Sequence, residues 1–224
     1  MKCNYLWMAG LLLTILALSG AWGNRVPTGK GGIVSFDKTI VALGDSLTEG
    51  YGVKEKEAYP ARLEKKLHEA GYRWRVVNIG KSGETSDETL ERLEQVLDLN
   101  PSIVILEIGV NDGFRGVDPK TIRGNIEKIV HILKDRNITV VLAGMRMFDD
   151  IRKDYNELFA GIYPEVAKKY SLILIPHFLE GVAGEPLLNR LDGIHPNPKG
   201  YRIVADTVFP YVRKAVELKE MERK

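Results

Sequence analysis

The fold is indicated first by residues 39–48, which read TIVALGDSLT. The first five of these residues form a short, mostly apolar run, which is typical of a β-strand buried on both faces. Gly44 permits a tight turn directly after this run, and Ser46 then stands at the mouth of the next helical segment. We therefore expect these residues to form the first strand of a sheet and the turn that leaves it.

The same alternation of short apolar runs and longer amphipathic runs continues along the chain. Further apolar runs predict four more buried strands, Trp74–Ile79, Ile103–Ile108, Thr139–Ala143 and Leu172–Ile175. Hydrophobic residues at helical spacing predict five helices, Tyr59–Ala70, Asp87–Leu97, Pro119–Lys134, Lys153–Lys169 and Tyr201–Leu218. Strands that alternate with helices form parallel sheets with right-handed crossovers. The sequence thus predicts an α/β protein, a flavodoxin-like three-layer α/β/α sandwich around a five-stranded parallel sheet, with ligands bound outside the carboxyl ends of the strands.

Composition and charge narrow the class of protein. The chain has 224 residues, 44% of them hydrophobic, which is enough for the core of one large domain. Its 32 basic and 30 acidic residues leave a net charge of +2, so the charge balance does not favour nucleic acid or an anionic surface as a partner. A small neutral or amphiphilic ligand fits this composition better. Nothing in these numbers indicates the oligomeric state.

The first 23 residues differ from the rest of the chain. Lys2 precedes an uncharged, mostly apolar stretch from Tyr5 to Trp22, which is typical of an export signal. Small residues at its end would allow cleavage after Ala21 or after Gly23. The alternative is an uncleaved membrane anchor, because 18 residues lie at the lower limit of what spans a bilayer as a helix. We therefore expect a periplasmic or secreted protein, or one anchored through residues 5–22.

Residues 24–35 are predicted to be a linker, and residues 36–224 the folded domain. Pro27 and three nearby glycines make the linker segment unsuited to regular structure. The single cysteine, Cys3, lies in the leader, so the mature chain would contain none. This would exclude disulfides, thiolate catalysis and cysteine-ligated metal.

Polar clusters follow the first three predicted strands, and each has an ordinary structural explanation beside the functional one. Ser46 is a candidate nucleophile with a backbone N–H free to bind an oxyanion, but Asp45 or Ser46 could simply cap a helix. Gly80 and Gly83 would let the backbone approach a ligand, yet glycine pairs are common in turns, and the full Gly-x-Gly-x-x-Gly of a dinucleotide site is missing. Asn111 could aim its amide at negative charge, yet Asn-Asp-Gly is also a common turn.

A fourth cluster lies late in the chain, where Asp192 precedes His195 by three residues on a segment stiffened by two prolines. A carboxylate bonded to one ring nitrogen would fix the tautomer of the histidine and leave the other nitrogen as a general base. Asn197 and Pro198 also predict a helix start, so this turn has a structural role as well.

Together, these clusters resemble the signature blocks of the SGNH, or GDSL, hydrolase family. The blocks are Gly44-Asp45-Ser46-Leu47, Gly83, Gly109-x-Asn111-Asp112 and Asp192-x-x-His195, in that order. Within the family, the sequence is most similar to the bacterial thioesterase I/protease I/lysophospholipase L1 and arylesterase group, from about Lys38 to the last helix. Thr48 stands where the Gly-x-Ser-x-Gly elbow of the larger α/β-hydrolase family has its second glycine, which argues against that family.

The resemblance implies a role for each residue of the blocks. Ser46 would be the nucleophile, His195 the general base and then the general acid, and Asp192 the group that orients His195. The oxyanion would be bound by the backbone N–H groups of Ser46 and Gly83 and by the side-chain amide of Asn111. Family members need no metal or organic cofactor, and the sequence offers no ligand cluster for a metal.

The implied activity is that of a serine esterase, which forms an acyl-enzyme with a small-molecule acyl ester or thioester. Apolar residues near the site are candidates for an acyl channel, although such residues more often pack in a core: Met145, Met147, Phe148, Phe178, Leu179, Leu187 and Leu188. Resemblance to the lysophospholipase group favours fatty-acyl esters, with membrane lipids among the candidate substrates. The alternatives are a carbohydrate acetylesterase and a non-catalytic binding module on the same fold.

Overall fold

The computed structural model of the protein describes residues 25–27, 33–35, 38–147 and 152–222. The chain divides into two units, Met1–Ser35 and Phe36–Lys224. Within the described ranges, no helix is both long enough and apolar enough to cross a bilayer.

In the first unit, strands β1 (Arg25–Pro27) and β2 (Ile33–Ser35) pair in antiparallel fashion. Both strands lie within residues 24–35, so the described part of the predicted linker forms regular structure. The predicted leader, residues 1–23, lies outside the described residues. The division of the chain into leader, linker and domain therefore stays a prediction.

The second unit is built on one parallel sheet. Its strands are β3 (Lys38–Gly44), β4 (Trp74–Asn78), β5 (Ile103–Glu107), β6 (Thr139–Ala143) and β7 (Ile173–Ile175). They lie in the order β4-β3-β5-β6-β7, and every neighbouring pair is parallel. From β3 the chain first adds β4 on one side and then adds β5, β6 and β7 on the other side of β3. The strand order therefore reverses between β3 and β5. Open parallel sheets bind ligands at such a reversal, outside the carboxyl ends of the strands.

Helices cover both faces of this sheet. They are α1 (Ser46–Glu49), α2 (Tyr59–Glu69), α3 (Ser86–Glu91), α4 (Leu93–Asp98), α5 (Val110–Phe114), α6 (Pro119–Asp135), α7 (Lys153–Tyr170) and α8 (Pro198–Met221). Helices α2 and α8 pack on each other in one layer, and α3, α6 and α7 pack in the other. The predicted α/β/α sandwich with five parallel strands is confirmed.

Burial follows position in the sheet. All five residues of the central strand β5 are buried, whereas the edge strands β4 and β7 keep partly exposed residues. Strands covered on both faces are apolar along their whole length, which is why the sequence shows continuous apolar runs and no alternation. Glu107, the last residue of β5, is the exception, because it is an acidic residue and yet fully buried.

One predicted helix is wrong in its extent. The pattern over Asp87–Leu97 predicts a single helix, but the structure has α3 and α4 with a break at Arg92. The Arg92 guanidinium binds the buried carboxylate of Glu84 and donates to the carbonyl of Ile79. A contact with residues before the helix therefore overrides the local helical pattern.

Gly44 connects the sheet to the turn that carries Ser46. A Cβ atom at this position would lie 2.3 Å from Thr48 Oγ1 and 2.4 Å from the carbonyl oxygen of Glu107. Both distances are far below van der Waals contact, and the second neighbour is backbone that cannot rotate away. Close approach of β3, β5 and α1 therefore requires glycine here.

Replacing Gly44 with alanine should destabilise the protein by about 1–3 kcal/mol, because the added methyl group overpacks the junction. The matched control is Gly124→Ala in α6, where a Cβ would meet nothing within 4 Å. That change should stabilise the protein by about 0.5–1 kcal/mol, because alanine loses less conformational freedom in a helix. Urea unfolding of both variants measures the difference, and a Gly44→Ala variant as stable as the wild type would contradict the packing argument.

Candidate active site

The predicted site residues converge on the carboxyl ends of the central strands. Ser46 begins α1 directly after β3, Gly83 lies in the loop after β4, and Asn111 lies in α5 after β5. Asp192 and His195 lie in the loop that precedes α8. This is the end of the sheet at which the strand order predicts a ligand site.

Ser46, His195 and Asp192 form a hydrogen-bonded chain. The Oγ atom of Ser46 lies 2.9 Å from Nε2 of His195, and Nδ1 of His195 lies 3.1 Å from Oδ2 of Asp192. A carboxylate only accepts, so Nδ1 carries the hydrogen and Nε2 is left to accept from the serine hydroxyl. The arrangement places a general base against a candidate nucleophile.

The turn that holds His195 is fixed by its own hydrogen bonds. Oδ1 of Asp192 accepts from the backbone N–H groups of Ile194 and His195, each at 2.9 Å. The backbone N–H of Arg190 donates to the carbonyl of His195 at 2.8 Å, which closes the loop behind the imidazole. Asp192 therefore orients His195 through the backbone as well as through the ring.

The nucleophile turn is held by Asp45 and not by Ser46. Oδ1 of Asp45 accepts from the backbone N–H of Leu47 at 2.9 Å, which makes Asp45 the cap of α1. The alternative that Ser46 is itself the cap does not apply, because its hydroxyl faces His195. Ser46 is 8% exposed, so its hydroxyl lies just beneath the surface.

The candidate oxyanion donors differ in how free they are. Among the described residues, the backbone N–H groups of Ser46 and Gly83 donate to no protein acceptor. Gly83 has a φ of +79°, which glycine adopts without strain. By contrast, Nδ2 of Asn111 donates to Oδ2 of Asp45 at 3.1 Å and to the carbonyl of Glu84 at 2.9 Å. Both amide hydrogens are committed, so donation to an oxyanion requires one of them to be shared.

Four acidic side chains are buried beneath these residues, Asp45, Glu84, Glu107 and Asp112. Glu84 is ion-paired with Arg92, and Asp112 accepts from the backbone N–H and the hydroxyl of Ser86 at 2.9 and 2.6 Å. Burial raises the pKa of Asp112, against these hydrogen bonds. In the described part of the chain, no three His, Cys, Asp or Glu side chains are grouped as metal ligands would be.

Glu107 is the member of this group that the sequence analysis missed. Burial raises the pKa of both Asp45 and Glu107, and the nearby charge of Asp45 raises that of Glu107 further. The only signal for Glu107 in the sequence is an acidic residue at the end of an otherwise apolar run. The same pattern is typical of a strand whose last residue reaches the solvent.

Tyr51 and Arg190 are also missed by the motif analysis. The Tyr51 ring lies 4.8 Å from the His195 ring between centroids, and the Arg190 guanidinium lies 5.6 Å from the centre of the Tyr51 ring. Arg190 also donates to the carbonyl of Gly52 at 2.6 Å and lies 3.7 Å from the carboxylate of Asp192. These two side chains join the loop after α1 to the turn that carries His195.

An apolar pocket of about 320 Å³ adjoins the two turns that carry Ser46 and His195, because Leu47 and Ile194 lie in its lining. Its lining residues are Leu47, Val110, Phe114, Met145, Arg146, Met147, Leu179, Ala183, Gly184, Gly193 and Ile194.

The pocket contains only part of the predicted acyl channel. Met145, Met147 and Leu179 line it, and Phe148 lies outside the described residues. The other three candidates have different positions. Phe178 is buried against Tyr59, Leu188 packs against the core, and Leu187 is 84% exposed.

Comparison with known proteins agrees with this geometry. The model of the GDSL-like Lipase/Acylhydrolase family matches residues 42–203. An arylesterase from Vibrio mimicus is 37% identical over 170 residues, which cover 75% of this chain and 85% of that protein. The thioesterase 1/protease 1/lysophospholipase L1 of Escherichia coli K12 is 37% identical over 169 residues, which cover 75% of this chain and 80% of that protein.

The fold is also similar to that of solved structures. The crystal structure of TesA superimposes with a TM-score of 0.77 at 32% identity, over 80% of this chain and 99% of that one. The family match covers most of the second unit and includes every residue from Ser46 to His195 that builds the site. The chain therefore belongs to the GDSL-like lipase/acylhydrolase family and is a carboxylic ester hydrolase of that family.

Proposed function

We propose that the protein is a serine esterase in which Ser46 attacks the carbonyl carbon of an acyl ester or thioester. The observation that carries this proposal is the hydrogen-bonded chain from Ser46 through His195 to Asp192, with distances of 2.9 and 3.1 Å. A binding module would have no need of a serine hydroxyl held against an imidazole that is itself held by a carboxylate.

The reaction proceeds in two similar halves. As Ser46 Oγ bonds to the carbonyl carbon, its proton passes to Nε2 of His195, and the carbonyl oxygen becomes an oxyanion. The oxyanion collapses, the bond to the leaving alcohol or thiol breaks, and His195 returns the proton to that group. Water then attacks the acyl-serine with His195 again as base, which releases the acid and regenerates Ser46.

The backbone N–H groups of Ser46 and Gly83 are the primary oxyanion donors in this proposal. They are free among the described residues and require no rearrangement, which is the condition for strong electrostatic stabilisation. Asn111 would supply a third N–H by sharing a hydrogen that Asp45 or Glu84 accepts in the resting site.

Asp192 stabilises the imidazolium that forms during each half-reaction. Its partial burial alone would raise the pKa of the carboxyl. The backbone N–H groups of His195 and Ile194 and the His195 ring outweigh burial, and they lower the pKa of Asp192 to about 2. Asp192 therefore remains a carboxylate throughout the working range of a histidine base.

The apolar pocket beside Ser46 supports acyl chains longer than acetyl as substrates. Its walls are mostly aliphatic and thioether side chains, and Leu47 and Ile194 lie next in sequence to Ser46 and His195. An acetyl group would leave most of a cavity of about 320 Å³ unfilled. Fatty-acyl esters and thioesters fit better than acetylated carbohydrate, and the names of the thioesterase and lysophospholipase relatives agree.

We also propose that the acyl donors include membrane lipids and that the protein is exported. The support for export is the uncharged stretch of residues 5–22, which lies outside the described residues.

Ser46→Ala should lower kcat by about 10⁴-fold or more while the fold is kept, because it removes the atom that forms the acyl-enzyme. A fluorophosphonate probe should label the wild type and not this variant. Ser82→Ala, which removes an exposed hydroxyl bonded to Glu49, is the matched control and should still be labelled. Retained turnover in Ser46→Ala, or a folded wild type that the probe does not label, would contradict the assignment.

Ala183→Phe should shorten the range of acyl chains that are accepted, because Ala183 lines the pocket and the larger ring would occupy it. In a p-nitrophenyl ester series, kcat/KM for octanoyl esters should fall by about tenfold or more while acetyl turnover is retained. Ala70→Phe is the matched control, since Ala70 is the exposed residue that caps the end of α2 and precedes the opposite end of the sheet. An equal loss for all chain lengths would argue against this pocket as the acyl site.

Asp192 should also stabilise the fold in a pH-dependent way. Its pKa in the folded protein, about 2, lies below its ordinary value of 3.8, so folding favours the ionised form. This contribution is present above 3.8 and is lost as the pH falls through about 2. Urea unfolding should therefore show a gap between the wild type and Asp192→Asn that is constant at neutral pH and closes within this acidic window; a pH-independent gap would contradict it.

A further inference from the structure

Two carboxyl groups are buried in contact with each other under the nucleophile turn. Asp45 and Glu107 are both 0% exposed, and a Cβ on Gly44, the residue before Asp45, would lie only 2.7 Å from Oε2 of Glu107. The two carboxyls are close enough that the charge of Asp45 raises the pKa of Glu107. Oxygen atoms of ionised carboxylates only accept hydrogen bonds, so a bond between two carboxyls requires a proton on one of them. Two buried carboxyls this close to each other do not readily ionise together, so we expect one of them to hold a proton.

The partners of Asp45 identify it as the ionised member. Its Oδ1 accepts from the backbone N–H of Leu47 at 2.9 Å, and its Oδ2 accepts from Nδ2 of Asn111 at 3.1 Å. Both oxygens thus receive donors, which is the environment that stabilises a carboxylate at a helix N-terminus.

Glu107 has the environment of a neutral acid. Its Oε2 accepts from the hydroxyl of Thr48 at 2.8 Å. Its Oε1 is buried and, among the described residues, accepts from no donor. A buried oxygen without a donor is costly as an acceptor, but it is satisfied if it carries a hydrogen and donates it.

We propose that Glu107 is a protonated carboxylic acid that donates its hydrogen to the Asp45 carboxylate and is thereby a positioning residue of this site. The hydrogen bond fixes the Asp45 carboxylate from below, while Leu47 and Asn111 hold it from the other side. Asp45 in turn fixes the turn that presents Ser46 and the amide of Asn111. Glu107 touches no reacting atom itself.

Sharing one proton also limits the negative charge beneath the oxyanion. If both carboxyls were ionised, two charges would lie under the atom that becomes negative during attack, in surroundings of low dielectric constant. The other ionisable groups around the pair do not supply a neutralising cation, since Glu84 is already paired with Arg92 and Asp112 is bonded to Ser86. Among the described residues, Tyr59, Tyr163 and Tyr201 also lie near the pair, and burial together with its negative charge raises the pKa of each hydroxyl.

The protonation state can be measured without reference to catalysis. Infrared spectra of the full-length protein at neutral pH should contain the carbonyl band of a protonated carboxyl, and Glu107→Gln should remove it. Glu84→Gln is the matched control, because Glu84 is equally buried but ionised, and the band should remain in that variant. A spectrum unchanged by Glu107→Gln would overturn the proposal.

The positioning role is tested by a rescue. Glu107→Leu fills a similar volume but neither donates nor accepts, and it should lower kcat by about 10- to 100-fold with little change in KM. Glu107→Gln should restore kcat to near the wild-type value, because its amide N–H replaces the acid as donor and its carbonyl still accepts from Thr48. An equally low kcat in both variants would contradict the role of a neutral donor.

The two readouts separate this inference from the proposed function on which it rests. If the protein is not an esterase, the infrared band still reports whether Glu107 holds a proton. If Glu107→Leu does not fold, the comparison of Glu107→Gln with the wild type, by spectrum and by kcat, still decides the matter.

Discussion

The Asp45 carboxylate is the group on which the geometry of the site depends. One of its oxygens caps α1 through Leu47, and the other holds the amide of Asn111 in α5, the helix that follows β5. It therefore joins the two central strands of the sheet at the point where the strand order reverses. Gly44 makes this possible, because any side chain there would collide with Thr48 and with the backbone of β5. Ser46 is thus positioned by packing and capping that it does not itself provide.

His195, the proposed base, comes to Ser46 from a distant part of the chain. His195 is 149 residues from Ser46, yet only the 2.9 Å bond between Nε2 and Oγ links their side chains. A single hydrogen bond keeps two side chains in a reactive geometry only if the backbone that carries each of them is already rigid. The turn from Asp192 to His195 meets this condition through its own backbone hydrogen bonds. The start of α8, capped by Asn197, fixes the position of the chain directly after the turn.

Much of the fold and of the candidate site could be predicted from sequence, because the strands and the turn from Asp192 to His195 depend on local patterns. The apolar runs predicted all five strands, and the spacing of Asp192 and His195 agreed with the hydrogen bond between them. The break at Arg92 could not be predicted, since its cause is the Glu84 carboxylate and the Ile79 carbonyl, which a helical pattern does not represent. Glu107 was missed for the same reason, because its burial arises only where β3, β5 and α1 meet.

The electrostatics of the site follow from these buried acids. In the proposed mechanism an oxyanion beside Ser46 forms close to Asp45, so its stabilisation depends on donors that outweigh the field of that carboxylate. The free N–H groups of Ser46 and Gly83 are fixed by the backbone and need no reorientation, whereas the Asn111 amide is already shared with Asp45 and Glu84. A proton held on Glu107 reduces the charge that these donors must oppose. The acids that shape the turn therefore also set how strongly it can bind a developing negative charge. The cost of that charge is kept low because Arg92 pairs with Glu84 and Glu107 holds a proton.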